Sequence, residues 1–138
     1  MQTFLPYPSF KRSAKALDRQ RLGKQRVEAM QILKALSGHY SKGWVNHPAT
    51  KMWRGHEKHL TEYGIAICDE WIGRGYKDTC RGKIIALGKN FKDSTYPKWL
   101  GSRLFHKGHK SNLVRKLPEH YGKFWPTIPN DLEYIWPK

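Results

Sequence analysis

A set of polar side chains on the apolar side of one amphipathic segment is the strongest constraint that this sequence places on its fold. Over residues 15–36 the apolar side chains recur at helical spacing and gather on one side of a helix wound at about 100° per residue. Asp18, Arg21 and Gln25 fall inside that apolar arc, and Glu28 lies on its edge. Burying such groups without partners costs roughly 1–3 kcal/mol each, so they must be paired or face a cleft.

Two interpretations of these four residues, which we call the polar ladder, remain open from the sequence. Asp18, Arg21, Gln25 and Glu28 follow one another at i+3, i+4 and i+3, so they share one side of the helix. As a structural network, the ladder would hold an Asp18–Arg21 ion pair against a neighbouring element. As a functional cleft, it would set a carboxylate beside cations, an arrangement typical of general acid–base catalysis.

The periodic pattern predicts a mainly α fold with three helices. The first begins after an N-cap at Ser13 and ends at Leu36, the second covers about 49–71, and the third covers about 107–117. The N-terminal lead-in and the aromatic C-terminal tail contain prolines and no period, so we expect both to be extended. Strand signals are nearly absent and no linker is visible, so residues 1–138 are predicted to form a single compact domain.

The charge of the chain predicts a polyanionic partner. The sequence has 26 Lys and Arg against 11 Asp and Glu, a formal net charge of +15. Such an excess repels itself in the compact state and is tolerated when a polyanion neutralises it. Aromatic residues interleave with the basic ones, and bases stack on aromatic rings, which favours nucleic acid over a membrane surface.

The N-terminal segment and the cysteines predict where the protein works. The first 15 residues are too polar and too proline-broken for a secretory signal, and no stretch approaches the roughly 18 apolar residues of a membrane span. Cys68 and Cys80 are then expected to be reduced thiols. We expect a monomer in the cytoplasm of a bacterium or a phage-infected cell, at the nucleoid and with no membrane contact.

Basic and aromatic residues supply candidates for phosphate contact. Arg12, Arg19 and Arg26 are seven residues apart and predict a basic stripe with Lys15 nearby, which is either a solvated face or a phosphate-binding one. The complete predicted DNA-binding set is Arg12, Lys15, Arg19, Lys24, Arg26, His47, His106, His109, Lys110, Tyr121, Lys123 and Trp125.

The histidines raise a metal hypothesis that the spacing does not favour. His56 and His59 are three residues apart, as are His106 and His109, and four imidazoles could bind zinc if the helices met. The segment "HEKH" is one residue short of the zincin motif, and no cysteine lies at ligand spacing. We therefore predict no metal and no cofactor; a metal-dependent nuclease is the weaker alternative, and chelator sensitivity would reveal it.

Several segments resemble the pyrimidine dimer DNA glycosylase family, the endonuclease V-like proteins. The segment "TKMWRGHEKHLTEYGIAICDEWIGRGYKDT" resembles the family's central helix and its exit, with "RGYKDT" the strongest piece. "LDRQRLGKQRVEAMQIL" resembles the first helix, and "FHKGHKSNLVRK" followed by "EHYGKFWP" is similar to the third helix and tail. The chain also resembles a branch of small bacterial and phage proteins grouped with that family, which share the "NHP…W" pattern.

The resemblance implies a fold and an activity. It implies a compact three-helix protein that binds duplex DNA with a damaged or modified base, such as a pyrimidine dimer. In that family the N-terminal α-amine attacks the sugar C1′ to form a Schiff base, and β-elimination follows with help from a helix-one carboxylate and arginines. An α-amine suits this role, because at its ordinary pKa roughly a tenth is neutral at pH 7, against roughly 0.04% of a lysine.

Two departures from the family shape the site prediction. Residue two is Gln2, which is large, so Met1 is expected to be retained; either Met1 offers the amine, or further processing exposes Gln2, or the lyase chemistry is lost. Gly23 stands where the family's glutamate should be, so Glu28 is the predicted acid–base carboxylate, with Asp18 in reserve.

The predicted catalytic set is Met1, Gln2, Glu28, Arg21, Asp18 and Gln25. In it Arg21 is the electrostatic partner of Glu28, and Asp18 and Gln25 orient that pair. The alternative is a non-catalytic DNA- or RNA-binding protein on the same scaffold.

Overall fold

The computed structural model of the protein describes residues 2–39 and 42–137, with the side chains of the second range described from residue 43. These residues contain helices and no strand, which confirms the mainly α prediction. The helices are α1 (Phe10–Ala16), α2 (Arg19–Leu36), α3 (Lys42–Val45), α4 (Pro48–Trp53), α5 (Glu57–Gly73), α6 (Arg81–Gly88), α7 (Arg103–Lys116) and α8 (Pro118–Tyr121). None of these helices has both the length and the apolar composition needed to cross a bilayer.

The first predicted helix is in fact two helices, which corrects the N-cap assigned to Ser13. The hydroxyl of Ser9 caps α1 by accepting from the Arg12 N–H at 3.1 Å. Leu17 is extended (φ −71°, ψ 138°), and Asp18 then caps α2. Ser13 lies inside α1, where its hydroxyl donates to the carbonyl of Tyr7 at 3.0 Å and fixes the lead-in.

The second predicted helix also divides, because Gly55 adopts φ +88°, a conformation that only glycine enters freely. The helix α4 ends before this turn and α5 follows it with 17 residues. The third predicted helix, α7, begins four residues earlier than expected, after a Ser102 cap. The short apolar run after "RGYKDTC" forms α6. The start of the predicted extended tail is not extended, because Tyr121 ends α8 and residues 122–124 and 126–127 form turns. Residues 129–137 contain no helix or strand.

The core forms where α2 crosses α5 and α6. Gly64 of α5 allows this close approach, because a Cβ there would lie 3.1 Å from Ile84 and 3.4 Å from Ala29. One cluster of buried apolar residues extends from Phe4 in the lead-in to Trp125 in the tail. The lead-in is therefore part of the core, and residues 2 and 4 are bonded to Gln25 of α2.

Candidate active site

A polar cleft of about 240 Å³ opens where the start of the chain meets α2. It contains one carboxylate, three cations and three amides among its lining side chains. The lining residues are Gln2, Phe4, Gln20, Arg21, Lys24, Gln25, Glu28 and Lys116.

Glu28 stands in this cleft with a single side-chain hydrogen-bond donor. The Gln25 Nε2 donates to Glu28 Oε2 at 2.6 Å and also to the Gln2 carbonyl at 2.9 Å. Burial raises the pKa of Glu28 above its ordinary value, although Lys24, Gln25 and the Gln2 backbone act in the opposite direction. A half-buried carboxylate with a raised pKa can hold a proton at a higher pH than an exposed carboxylate does.

Gln25 is completely buried and connects the cleft to the core. Its Oε1 accepts from the Phe4 N–H at 3.1 Å and from the Tyr63 hydroxyl at 2.5 Å. Tyr63 is itself fully buried on α5, and burial raises its pKa well above the ordinary value, so it stays protonated. These bonds use both oxygen and nitrogen of the amide, and they fix which end of Gln25 points at Glu28.

Residues 2–5 are held entirely by side chains from distant parts of the chain. The Leu5 N–H donates to His109 Nδ1 at 2.8 Å, and His106 Nδ1 donates to the Leu5 carbonyl at 2.7 Å. The Tyr134 hydroxyl donates to the Thr3 carbonyl at 2.5 Å. Gln25 and Tyr63 bind the backbone of Phe4, and the Trp53 indole donates to the Thr3 hydroxyl. We call the complete set of these side chains the N-terminal clamp: Gln25, Trp53, Tyr63, His106, His109 and Tyr134.

The other end of the polar ladder is saturated with partners. Asp18 accepts from the Arg21 N–H at 3.4 Å and from Arg21 Nη1 at 3.3 Å, and it accepts a short hydrogen bond from the Tyr121 hydroxyl. Burial alone would raise the pKa of Asp18, but the bonds from Tyr121 and Arg21 outweigh it and lower that pKa. Asp18 is therefore an ionised structural cap in this structure.

The predicted pairing within the site needs one correction. Arg21 forms its ion pair with Asp18 and not with Glu28, because Asp18 lies one turn earlier at the helix start. Gln25 does contact Glu28, as predicted. Met1 lies outside the described residues, and Gln2 lines the cleft.

The packing around Gly23 is incompatible with a glutamate at this position. A Cβ on Gly23 would lie 3.0 Å from the Trp71 ring, so this residue faces α5 and not the cleft. A glutamate at position 23 would displace Trp71 before it reached the cleft. Glu28 is on the side of α2 that the cleft occupies.

Arg26 does not belong to an exposed phosphate-binding stripe. Its Nη1 forms an ion pair with Asp78 at 2.6 Å, and its guanidinium stacks 4.3 Å from the centre of the Trp71 ring. The carboxylate of Asp78 also accepts from the Arg81 N–H, so this group joins α2 to the start of α6. The stripe fails as a unit because α1 and α2 are separate helices and Arg12 lies on α1.

Four other predicted DNA contacts are buried, which contradicts a surface role in this structure. They are His106, His109, Tyr121 and Trp125. His109 is completely buried, and burial lowers its pKa to about 3, so its imidazole is neutral. Its ring stacks on Tyr134 at 4.4 Å between centroids, which makes it part of the N-terminal clamp.

The other residues of the predicted DNA-binding set are not buried, and their contact with DNA stays a prediction. Arg12 and Lys110 lie 4.0 and 4.9 Å from the centre of the Tyr7 ring. His47 caps α4 by accepting from the Ala49 N–H at 3.0 Å, and burial lowers its pKa. The exposed members of the set are Arg12, Lys15, Arg19, Lys24 and Lys123.

The predicted site omits several residues that the structure brings to it. They are Phe4, Gln20 and Lys116 in the cleft lining and Trp53, Tyr63 and Tyr134 in the N-terminal clamp. Tyr63 and Tyr134 meet the lead-in from more than 50 residues away, and no local spacing predicts such a contact. Within the described ranges, no three His, Cys, Asp or Glu side chains come together as a metal site.

The fold and the cleft define a small, basic, helical protein with a carboxylate-centred polar site. A family model for pyrimidine dimer DNA glycosylase matches residues 1–83, which is more than half of the chain. The chain therefore belongs to the pyrimidine dimer DNA glycosylase family. No curated protein and no solved structure matches it in the corresponding searches. The matched part includes the whole polar ladder, whereas His106, His109 and Tyr134 of the clamp lie beyond it.

Proposed function

We propose that this protein is a DNA glycosylase with abasic-site lyase activity that removes a damaged or modified base, such as a pyrimidine dimer, from duplex DNA. The observation that carries the proposal is the N-terminal clamp, which holds residues 2–5 beside Glu28. Segments near a chain end are normally frayed, so burying residues 3–5 and binding the backbone of residues 2–5 with five side chains requires a reason. An α-amine that precedes Gln2 by one residue is tethered to the cleft by one peptide unit.

The proposed reaction uses that amine as the nucleophile. The neutral amine attacks C1′, the C1′–N bond breaks, and the departing base leaves with the bonding electrons and takes a proton. Loss of the amine proton and opening of the sugar give an imine between C1′ and the protein. The imine acidifies the C2′ proton, whose removal expels the 3′-phosphate, and hydrolysis of the imine returns the amine.

Glu28 is the proposed acid–base group for these proton transfers. Its raised pKa keeps a larger protonated fraction than an exposed glutamate has at the same pH. The Gln25 amide holds the carboxylate in place from the side of the core. Arg21, Lys24 and Lys116 line the same cleft and supply positive charge for the phosphates that flank the reacting sugar.

The exposed cations are proposed to hold the rest of the duplex. The helices α1 and α7 contain no Asp or Glu and together carry eight Lys or Arg residues. With 6–10 phosphate contacts, affinity should fall about 10³- to 10⁵-fold between 50 and 200 mM salt. We extend the proposal to a monomer that works on DNA at the nucleoid.

Borohydride trapping tests this proposal directly. The intact mass is first measured to define the N-terminal residue, and the protein is then reduced in the presence of duplexes with a pyrimidine dimer, an abasic site or a modified pyrimidine. The expected result is a covalent adduct that maps to the N-terminal peptide. A matched protein with a Gly-Ser extension before residue 1 should form none.

The opposite result would establish the alternative function. Tight, salt-sensitive binding to every duplex, with neither an adduct nor strand cleavage on any of them, would identify a non-catalytic DNA-binding protein. The clamp would then be a structural feature alone.

A further inference from the structure

A second cavity, of about 540 Å³, lies on α4 and the loop before α7, outside the site described above. Its volume falls in the range of about 300–1,000 Å³ that is typical of small-molecule sites. Its lining includes two aromatic rings and three cations but no carboxylate. We call it the Tyr96 pocket, and the lining residues that matter here are Lys51, Arg54, His56, Tyr96, Lys98 and Trp99.

The aromatic part of this pocket is exposed and lies on an anchored loop. Tyr96 is 61% exposed, the largest exposure of any aromatic side chain among the described residues. Its loop is anchored, because the Thr95 N–H donates to the Gly55 carbonyl at 2.9 Å and His56 Nδ1 donates to the Thr95 carbonyl at 2.7 Å. A preorganised exposed ring is a ready stacking surface for a planar ligand.

The second ring is fixed from below. Trp99 meets the buried Trp53 edge-on at 4.9 Å between centroids and lies 4.8 Å from Phe105. Trp53 in turn donates to the Thr3 hydroxyl at 3.2 Å, so it lies between the Tyr96 pocket and the start of the chain. The two sites are therefore separate.

The charged part of the pocket has no internal counter-charge. Arg54 donates one hydrogen bond to the carbonyl of Val45, which positions its guanidinium without neutralising it. Lys51 and Lys98 are exposed and line the same cavity. Cations beside an aromatic surface, with no carboxylate among them, complement an anion attached to a planar ring.

We propose that the Tyr96 pocket is a second ligand site that binds a nucleotide unit. The base would stack on Tyr96 and Trp99, and the phosphate would contact Lys51, Arg54 and Lys98. The unit has two sources, a free nucleotide or a single strand of nucleic acid. This site is independent of the proposed catalytic cleft and does not require that the protein be a glycosylase.

Calorimetric titration of the full chain tests the proposal with four probes: dTMP, thymidine, inorganic phosphate and a four-residue oligothymidylate. At least one of dTMP and the oligonucleotide is expected to bind saturably. Thymidine and phosphate should bind at least about tenfold more weakly, because thymidine lacks the phosphate contacts and phosphate lacks the stacking contacts. Tighter binding of dTMP than of the oligonucleotide assigns the site to free nucleotides. The reverse order assigns it to a single strand.

Two variants locate the binding. Tyr96→Ala is expected to weaken it about tenfold, the lower part of the range for loss of one base–aromatic stack, and Lys98→Gln should weaken it independently. Lys92→Gln, in the same loop but outside the pocket, is the matched control and should bind as the wild type does. Lys24→Gln reports any binding in the catalytic cleft. Circular dichroism melting confirms that each variant is folded.

Three results would overturn the proposal. They are the absence of saturable binding by both dTMP and the oligonucleotide, unchanged binding by both pocket variants, or a loss in Lys24→Gln equal to that in Tyr96→Ala. The last would assign the binding to the catalytic cleft.

Discussion

The two ends of the polar ladder share one helix and one spacing but have opposite environments. At the N-terminal end, Asp18 has a cap bond, an ion pair and a tyrosine hydroxyl, and its pKa is lowered. At the other end, Glu28 has one side-chain donor, borders a cleft, and its pKa is raised. Spacing on a helix therefore places carboxylates, whereas the partners that reach them from elsewhere in the chain determine what each can do.

Those partners come from opposite ends of the sequence. Tyr121, which binds Asp18, is 103 residues away, whereas Gln2, which shares Gln25 with Glu28, belongs to the lead-in. One end of the ladder thus fits the interpretation as a structural network, and the other end fits the interpretation as a cleft. The bonds of Asp18 to Arg21 and Tyr121 form a structural network, and the Gln25–Glu28 half faces the candidate active site, whose lining also includes Arg21.

The largest expected effect comes from removing the ionisable group at the cleft end. Glu28→Gln keeps the shape and a hydrogen-bonding side chain but cannot transfer a proton, so the rate of borohydride-trapped adduct formation should fall about 10²- to 10⁴-fold. Single-turnover trapping with saturating duplex DNA measures this rate. Chemical denaturation should show that the variant is no less stable than the wild type at pH 7, because the wild-type carboxylate is partly desolvated there.

The capping end should respond in the opposite way. Asp18→Ala removes the α2 cap and the Arg21 partner, so the free energy of unfolding should fall by about 2 kcal/mol, while adduct formation per folded molecule stays within about threefold of the wild type. Urea denaturation and the trapping assay measure the two quantities. Asp18→Asn, which retains a good cap, should recover much of the lost stability. A loss of trapping as large as that of Glu28→Gln, with stability unchanged, would contradict the comparison.

This contrast also shows how far the sequence could go. The helical class and the polar ladder followed from spacing, because helical periodicity is local. The choice of Glu28 as the acid–base carboxylate came from the family resemblance and stays a prediction. The division at Leu17 and the burial of His109 did not, because Arg74 binds the Leu17 carbonyl from 57 residues away and His109 binds Leu5 from 104 residues away. The clamp was hardest to foresee, since Tyr63 and Tyr134 meet residues 3 and 4 across the whole fold.

A smaller effect is expected where the tail supports the cleft end. Tyr134→Phe removes one donor from the Thr3 carbonyl and leaves the stack on His109, so residues 3–5 should exchange their amide hydrogens faster. Adduct formation should fall about three- to tenfold, while stability falls by about 1 kcal/mol. Tyr96→Phe is the matched control because its hydroxyl is on an exposed ring, and it should change neither quantity. Equal trapping by both variants would show that Tyr134 does not position the start of the chain.

The smallest effect is a difference in pH dependence between the two ends. The lowered pKa of Asp18 means that its contribution to stability is present above its ordinary value of 3.8 and is lost as the pH falls through the folded-state pKa. The raised pKa of Glu28 has the opposite effect on the free energy of unfolding. Its ionisation favours the unfolded chain, so a penalty is absent below 4.5 and grows as the pH rises through the folded-state pKa.

Urea denaturation of Asp18→Asn and Glu28→Gln between pH 3 and pH 7 measures both contributions against the wild type. The stability deficit of Asp18→Asn should shrink as the pH falls below 3.8, because the wild-type carboxylate then loses its charge as well. The stability of Glu28→Gln relative to the wild type should instead rise with pH above 4.5, as the wild-type penalty develops. Because the two variants differ from the wild type by one titrating group each, any global effect of pH cancels in these differences. If both stability differences changed with pH in the same direction, the two carboxylates would share one environment. The division of the ladder into a structural end and a functional end would then fail.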